Sequence, residues 1–114
     1  MAFDTLKAEK IWKTVCKVPA GKVSSYGFVA DLAGLPGRAR LVGKVMQYAP
    51  DDLDVPWYRI LKSNGQLAFP SGSLQAEKQK GLLQEEGVVV LNNRVKLKDF
   101  GWSPGLGELM ELEF

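Results

Sequence analysis

The stretch that decides the fold is residues 21–46, "GKVSSYGFVADLAGLPGRARLVGKVM". Within it, "YGFVADLA" predicts a short helix that Ser24 or Ser25 caps and that a turn containing Gly and Pro ends. "GRARLVGKVMQYAP" predicts another helix, which stops before Pro50 because proline cannot continue it. Two short helices joined by a turn of about four residues are typical of a helix-turn-helix.

The later helix of this pair has two unlike faces when its residues are placed 100° apart. The polar face carries Arg40, Gly43, Lys44 and Gln47. The opposite face carries Val42, Val45 and Met46. Arginine, lysine and glutamine reach phosphates and base edges, so the pattern is compatible with DNA contact. An ordinary solvated amphipathic helix fits the same pattern.

Two further helices flank this stretch. "DTLKAEKIWKTVCKV" predicts a helix with Asp4 as its N-cap. Its apolar stripe has helical spacing and consists of Ala8, Ile11, Trp12 and Val15. "SLQAEKQKGLLQEEG" predicts a helix capped by Ser73 and ended by Gly87.

Extended segments and a tail complete the chain. "WYRILKSNGQLAF" and "VVVLNNRVKL" each predict a hairpin, the first around an Asn-Gly turn. The acidic tail "SPGLGELMELEF" is expected to be poorly ordered. We therefore predict a small α+β domain of the winged helix-turn-helix type over residues 1–102 and a flexible tail over residues 103–114.

Composition narrows the possible chemistry. The 114 residues suit one domain, and 25% charged residues are ordinary for a globular protein. The chain has one cysteine and no histidine, so neither a zinc site nor Ser-His or Cys-His catalysis is expected, and we expect no metal and no cofactor. The single cysteine fits a reducing cytosol. Neither a membrane span nor a signal peptide is indicated, and we expect a cytoplasmic protein, associated with the nucleoid if bacterial.

Charge is unevenly distributed. Residues 1–48 hold eight Lys/Arg and three Asp/Glu, whereas residues 49–114 hold seven and ten. A basic first half indicates a surface that could meet a polyanion. The same asymmetry also fits an ordinary solvated surface.

Three stretches, taken together, resemble a known family. "GKVSSYGFVADLAGLPGRARLVGKVM", "VPWYRIL" and "KQKGLLQEEG" are similar in order and spacing to the C-terminal DNA-binding domain of the O6-alkylguanine-DNA alkyltransferases. Those enzymes read Pro-Cys-His-Arg in the middle stretch, and the cysteine accepts the alkyl group. This chain reads Pro56-Trp57-Tyr58-Arg59. Tryptophan in place of the cysteine is the mark of the alkyltransferase-like proteins.

The resemblance implies a role for individual residues. Arg40 matches the finger that fills the space of a flipped base, Tyr26 matches the tyrosine that rotates the nucleotide, and Trp57 would line the base pocket. The implied pocket residues are Tyr26, Trp57, Tyr58, Arg59 and Glu86. The implied DNA-binding residues are Ser25, Tyr26, Arg38, Ala39, Arg40, Gly43, Lys44 and Gln47. Cys16 is expected to be an inert, buried residue of the first helix.

The chain also departs from the family pattern. Alkyltransferase-like proteins usually follow the tryptophan with histidine, where this chain has Tyr58. Ala49 stands where many alkyltransferases have asparagine, and Lys44 where they often have a small residue. The segment "AFPSGS" lacks a basic residue that some relatives place over the base. These differences concern recognition in the pocket and leave the loss of transfer chemistry unchanged.

The function implied is recognition of O6-alkylguanine in duplex DNA by base flipping from the minor groove, by a monomer, without alkyl transfer. Handover of the site to nucleotide excision repair proteins is implied too. Two alternatives stay open from the sequence. One is an enzyme with hydrolytic or lyase activity that uses Tyr58 or Glu86. The other is a winged-helix regulator that reads DNA sequence.

Overall fold

The computed structural model describes residues 4–112, apart from the side chain of Leu106. The helices are α1 (Thr5–Cys16), α2 (Tyr26–Leu32), α3 (Ala39–Met46), α4 (Leu74–Glu85), α5 (Leu97–Phe100) and α6 (Leu106–Glu111). The strands are β1 (Ser24–Ser25) and β2 (Ile60–Leu61), and 3-10 turns occupy Asp51–Leu53 and Trp57–Arg59. None of these helices in residues 4–112 has the length and apolar character needed to cross a membrane.

Helix α1 forms as its sequence predicts. The Asp4 carboxylate accepts a hydrogen bond from the backbone N–H of Leu6 at 2.9 Å, which satisfies one of the unpaired donors at the helix start. The predicted apolar stripe of α1 is buried. The indole N–H of Trp12 donates to the carbonyl of Val45 at 2.8 Å, so α1 is tied directly to α3.

The predicted helix-turn-helix is present. Ser25 caps α2, because its hydroxyl accepts from the backbone N–H of Phe28 at 3.1 Å. The turn between α2 and α3 includes Gly34 and Gly37, both at a φ of 78°, in the left-handed region that favours glycine. The two helices share one apolar core with α1, which contains Val29, Ala30, Val42 and Val45. This packing leaves the polar face of α3 turned outward.

A second core lies beneath a very small parallel sheet. Strand β1 pairs with β2, with Ser24 opposite Ile60 and Ser25 opposite Leu61. The buried residues of this core are Val23, Leu61, Leu67, Leu83, Val88, Val90 and Val95. The helical layer and the sheet layer together form the α+β fold that the sequence predicts.

The second predicted hairpin is confirmed at its turn, because Leu91 and Arg94 exchange backbone hydrogen bonds at 2.9 Å. The first predicted hairpin is correct in its turn and wrong in the partner of its first strand. The Asn-Gly turn closes through a bond from the N–H of Gly65 to the carbonyl of Lys62 at 2.9 Å. The segment that precedes it, β2, pairs with β1 instead of with the segment that follows. The two predicted hairpins contact each other, since Val95 donates to Gly65 and Leu67 donates to Asn93, both at 2.9 Å. A Cβ at position 65 would lie 2.5 Å from the Val95 carbonyl, so this approach requires glycine.

The tail is more regular than expected. Helix α6 forms within it, and the Trp102 indole N–H donates to Glu108 at 3.1 Å. Lys17 pairs with Glu111, and Leu112 is buried in the first core. Helix α6 is thus present within the tail, where Leu112 has a core to pack on, and the flexibility of the tail stays a prediction. Residues 113–114 lie outside the described residues, and the domain boundary at residue 102 stays a prediction.

Candidate nucleic-acid interface

The exposed face of α3 borders a basic groove. Arg38, Arg40 and Lys44 are exposed, and Ala39 is half-buried at the helix start. These residues line a groove of about 670 Å³ together with Asp4, Lys7, Gly37 and Leu41. Cations gathered in one concave surface raise the local concentration of polyanions, so this groove can hold a phosphate backbone.

Lys7 belongs to this groove and was missed by the sequence analysis. It lies in the first turn of α1, more than 30 positions from Arg38 in the chain. Only the packing of α1 against α3 brings the two cations to one surface. The basic charge of the first half of the sequence was a signal, but it did not indicate which lysine joins α3.

A second concavity lies on the other side of α3. This pocket has a volume of about 490 Å³. Its lining residues are Tyr26, Gly43, Met46, Gln47, Trp57, Ala68, Phe69, Gln75 and Lys78. The volume lies in the range of about 300–1,000 Å³ typical of small-molecule sites, and the wall is largely aromatic and apolar. A planar group of the size of a nucleobase suits such a pocket.

The aromatic wall is built around Trp57, which is half-buried. The Trp57 ring meets the Phe69 ring nearly edge-on, at 6.3 Å between centroids. Tyr26 stands beside Gly43, where an added Cβ would lie 3.8 Å from the tyrosine ring. Burial raises the pKa of Tyr26, so its phenol stays protonated at neutral pH. Tyr26 and Trp57, two of the predicted pocket residues, therefore line one pocket.

Tyr58, Arg59 and Glu86 do not line this pocket in the structure, although the resemblance assigns them to it, and their part in base recognition stays a prediction. Successive residues of a 3-10 turn point about 120° apart, so Trp57 faces the pocket while its two successors point elsewhere. The Tyr58 hydroxyl donates to Glu86 at 2.7 Å. The Arg59 Nε donates to Glu86 at 3.0 Å, and its Nη1 donates to the Val18 carbonyl at 2.8 Å. These three side chains form a bonded cluster behind the pocket.

Glu86 is the centre of that cluster. Besides Arg59 and Tyr58, the backbone N–H of Gly21 donates to it at 3.1 Å. Its hydrogen bonds, chiefly those from Arg59, lower the pKa of Glu86 from its ordinary 4.5 to about 2, although burial opposes the shift. Burial and the bond to Glu86 raise the pKa of Tyr58. Glu86 is thus a stable carboxylate engaged by several donors, and a poor proton acceptor.

Gln79 is a buried residue that the sequence analysis missed. Its amide N–H groups donate to the carbonyls of Tyr58 and Ile60, both at 3.1 Å, and its oxygen accepts from the backbone N–H of Ala68 at 3.0 Å. It therefore joins α4 to the Trp57–Arg59 turn and to the loop that carries Phe69. The available signal was a glutamine on the apolar face of a helix, in line with Ala76 and Leu83.

Cys16 lies away from the pocket, and the expectation that it is buried is wrong. It is exposed at the end of α1 and lines a separate groove that includes Trp12, Pro50 and Leu53. Partial burial, followed by the negative charge of Asp54, raises the pKa of this thiol. Among the residues that the structure describes, no group of three or more potential ligands could hold a metal ion.

The model of one protein family matches residues 7–88, which is more than half of the chain. It is described as the DNA-binding domain of 6-O-methylguanine DNA methyltransferase. This protein belongs to that family. The match confirms the resemblance inferred from the three sequence stretches.

Two similar relatives define its place within the family. Alkyltransferase-like protein 1 of Schizosaccharomyces pombe is 35% identical over 100 residues, which cover 83% of this chain and 93% of that protein. The DNA base-flipping protein of Vibrio parahaemolyticus is 36% identical over 96 residues, covering 83% and 94%. The chain thus matches small relatives over most of their length.

A solved structure confirms the fold. The S. pombe protein Atl1 in complex with damaged DNA containing O6-carboxymethylguanine superposes with a TM-score of 0.79 at 33% identity. The match covers 90% of this chain and 99% of that one. The small α+β fold predicted from the sequence is therefore the fold of this family's DNA-binding domain.

Proposed function

We propose that this protein binds duplex DNA containing O6-alkylguanine, rotates the base into the 490 Å³ pocket and holds it without removing the alkyl group. The observation that carries the proposal is the placement of Trp57. It lines an aromatic pocket directly beside the exposed basic face of α3, and the chain's single cysteine lies in a different groove. The names of the two relatives, and the damaged DNA bound by one of them, point to the same activity.

The basic groove supplies the contact with the DNA backbone. Lys7, Arg38, Arg40 and Lys44 neutralise phosphates and release counterions, so binding weakens as salt rises. Arg40 enters the base stack from the minor groove and occupies the space of the extruded base. Extrusion of a base costs a few kcal/mol, and it costs less for a weakly paired lesion. The protein is therefore expected to flip a damaged base more readily than an undamaged one.

The pocket supplies retention. Aromatic side chains such as Trp57 and Phe69 offer flat surfaces, and stacking on an aromatic ring contributes about 1–3 kcal/mol per base. Tyr26 and Gly43 line the pocket, and Gly43 belongs to the polar face of α3, where the nucleotide backbone would turn. The absence of bulk at Gly43 allows that backbone to come close to the helix.

Alkyl transfer needs a thiolate with a neighbouring base, and this pocket offers an indole. Trp57 and Tyr58 stand in the positions of the cysteine and histidine of the alkyltransferases. The Tyr58 hydroxyl is engaged by Glu86, and the low pKa of Glu86 makes it an ineffective base. Hydrolytic or lyase chemistry by these two residues therefore has little support from the geometry.

Titration of an O6-methylguanine duplex beside its unmodified twin tests the proposal. We expect the lesion duplex to bind at least ~10-fold tighter, about 1.4 kcal/mol. Trp57→Ala should abolish the preference, and mass analysis should find protein and lesion DNA unchanged after long incubation. Equal affinities for the two duplexes would indicate a sequence-reading regulator, and loss of the alkyl group would indicate an enzyme.

Three further features stay predictions. They are action as a monomer, cytoplasmic location and handover of the bound lesion to nucleotide excision repair. Sedimentation of the complex with one lesion duplex checks the first, since one protein per duplex is expected. Capture of repair proteins by the lesion-bound complex, compared with Trp57→Ala, checks the last.

A further inference from the structure

The part of the pocket lining that α4 supplies has a feature that lesion stacking does not use. Helix α4 contributes Gln75 and Lys78 to the pocket that Trp57 also lines. The two residues are three positions apart on one helix, so their side chains project from the same face. An extruded base that enters beside α3 and stacks on Trp57 would present its outer substituents to this pair.

The charge of this lining is unbalanced. Among the described residues that line the pocket, Lys78 alone carries a full charge, and the others are aromatic, apolar or amide side chains. Within residues 4–112, no hydrogen bond or ion pair engages the Lys78 ammonium group. Both residues lie near the start of α4, a twelve-residue helix whose positive end adds to the local potential. The pocket wall is therefore complementary to a ligand that bears negative charge.

The position of Lys78 is fixed by its neighbour in the chain. Gln79 is fully buried and bonds to backbone groups of Tyr58, Ile60 and Ala68. These bonds hold α4 at a set register against the Trp57 turn and the Phe69 loop. The Lys78 backbone thus cannot drift from the pocket, although the side chain keeps its rotamer freedom.

We propose that Lys78, assisted by Gln75, is a specificity-determining residue that makes the pocket prefer O6 substituents ending in a carboxylate over uncharged substituents of the same size. This inference rests on the proposed function, since it concerns what the extruded base carries. A plain alkyl group contacts the aromatic wall and leaves the ammonium group unpaired. A carboxylate accepts from it in a charge-assisted hydrogen bond, which is roughly twice as strong as a neutral one.

The test compares four duplexes of one sequence that differ in a single base. The bases are guanine, O6-methylguanine, O6-carboxymethylguanine and the uncharged O6-carbamoylmethylguanine, which has nearly the same shape as the carboxymethyl base. The proteins are wild type, Lys78→Gln and Lys80→Gln. Lys80 is a matched control, because it lies on the same helix and its replacement removes the same charge, but it does not line the pocket within the described structure.

We expect wild type to bind the carboxymethyl duplex about fivefold tighter than its carbamoylmethyl twin, as suits a partly exposed ion pair. Lys78→Gln should make the two affinities equal, whereas Lys80→Gln should keep the fivefold ratio. Both variants should weaken binding to all duplexes slightly, since each loses one cation that attracts DNA.

Three outcomes would overturn the inference, and one of them would also overturn the proposed function. If Lys78→Gln and Lys80→Gln lower every affinity by the same factor, Lys78 is only a counter-charge for the DNA backbone and the specificity proposal is wrong. If wild type binds all four duplexes equally, the proposed lesion recognition fails, and this inference fails with it. A preference for the lesions over guanine that is insensitive to Lys78 leaves the proposed function standing and rejects the inference alone.

Discussion

The two sides of the Trp57–Arg59 turn differ in how their bonding capacity is used. On the pocket side, Trp57 is half-buried, and its ring meets the rings of Tyr58 and Phe69 nearly edge-on. On the bonded side, Tyr58 and Arg59 are both engaged by Glu86. A 3-10 turn makes this division possible because neighbouring side chains point about 120° apart.

This difference shows that stability and recognition depend on different side chains of the same turn. Interactions on the bonded side are satisfied within the folded chain, so a change there alters the free energy of unfolding. The pocket side leaves an aromatic surface available, so a change there alters ligand binding. The sharpest tests of the comparison are substitutions that ought to affect one side and spare the other.

The largest effect is expected from Glu86→Gln. Loss of the carboxylate leaves the Arg59 guanidinium without its partner, and both side chains are about 86% buried by area. Removal of one member of such a pair costs about 3 kcal/mol of unfolding free energy. Urea denaturation measures this loss. Glu85→Gln, on the exposed neighbouring residue, is the control and should stay within about 0.5 kcal/mol of wild type.

The acid sensitivity of the same pair has a defined sign. Because the pKa of Glu86 falls from 4.5 to about 2 on folding, its contribution is fully present above pH 4.5 and is lost as pH drops towards 2. Wild type should therefore lose about 2–3 kcal/mol more than Glu86→Gln across this window. Parallel curves for the two proteins would show that the carboxylate is not the source of the acid sensitivity.

Gln79→Ala is expected to cost about 2 kcal/mol. The substitution removes three hydrogen bonds that Gln79 makes from α4, and it leaves the half-buried N–H of Ala68 without this acceptor. Thermal unfolding measures the loss, and Gln84→Ala, on the exposed side of α4, is the matched control. Gln79 fixes both the Trp57 turn and the Phe69 loop, so lesion binding should fall too. Such a result would show that Gln79 contributes both to stability and to recognition.

Local patterns predicted the local parts of this fold. The N-caps of Asp4, Ser25 and Ser73 each accept the expected backbone bond, and the polar face of α3 is exposed as its periodicity indicates. The partner of β2 was not predictable from its neighbours, because parallel pairing joins segments more than 30 residues apart. Helix α6 was missed for a similar reason, since its order depends on a distant core.

The candidate site shows the same limit. Tyr26 and Trp57 line the pocket of the structure, whereas Tyr58, Arg59 and Glu86 do not, and the roles that the resemblance gives them stay predictions. Adjacent positions in a motif do not reveal how a 3-10 turn distributes the side chains of Trp57, Tyr58 and Arg59. Helix packing brings Lys7 to the basic groove and Gln75 and Lys78 to the pocket. No local sequence pattern indicates these positions.

Arg40→Ala should change binding without changing stability. The side chain is exposed and lines the basic groove, so its removal should leave the unfolding free energy within about 0.5 kcal/mol of wild type. Lesion binding should weaken about fivefold, or about 1 kcal/mol, and the fluorescence of an extruded base analogue should drop. Lys98→Ala removes an equal charge from α5, outside the groove, and should affect extrusion much less. Unchanged extrusion in folded Arg40→Ala would remove its role in base flipping.

The smallest expected effect is alkyl transfer by a variant with a thiol at position 57, which tests both sides of the turn. Trp57→Cys places a thiol on the pocket side, but its pKa should stay near the free value of ~8.5, which leaves only a few per cent thiolate at neutral pH. Tyr58 cannot help, because its phenol is a weak acid whose hydroxyl already donates to Glu86. The single variant should therefore take up a methyl group from O6-methylguanine DNA very slowly, if it does so at all.

Adding Tyr58→His to Trp57→Cys supplies a general base from the bonded side of the turn. The imidazole can donate one ring N–H to Glu86, which now accepts from Tyr58 at 2.7 Å, and the other nitrogen is then free to accept the proton of the thiol. The double variant should gain one methyl group faster than Trp57→Cys, as measured by protein mass. The control is the double variant that also carries Glu86→Gln. Equal rates for the single and double variants would place residue 58 too far from the pocket to act as its base. If neither variant transfers while both still bind lesion DNA, the alkyl group does not lie over residue 57, because a thiol held against it would react at least slowly.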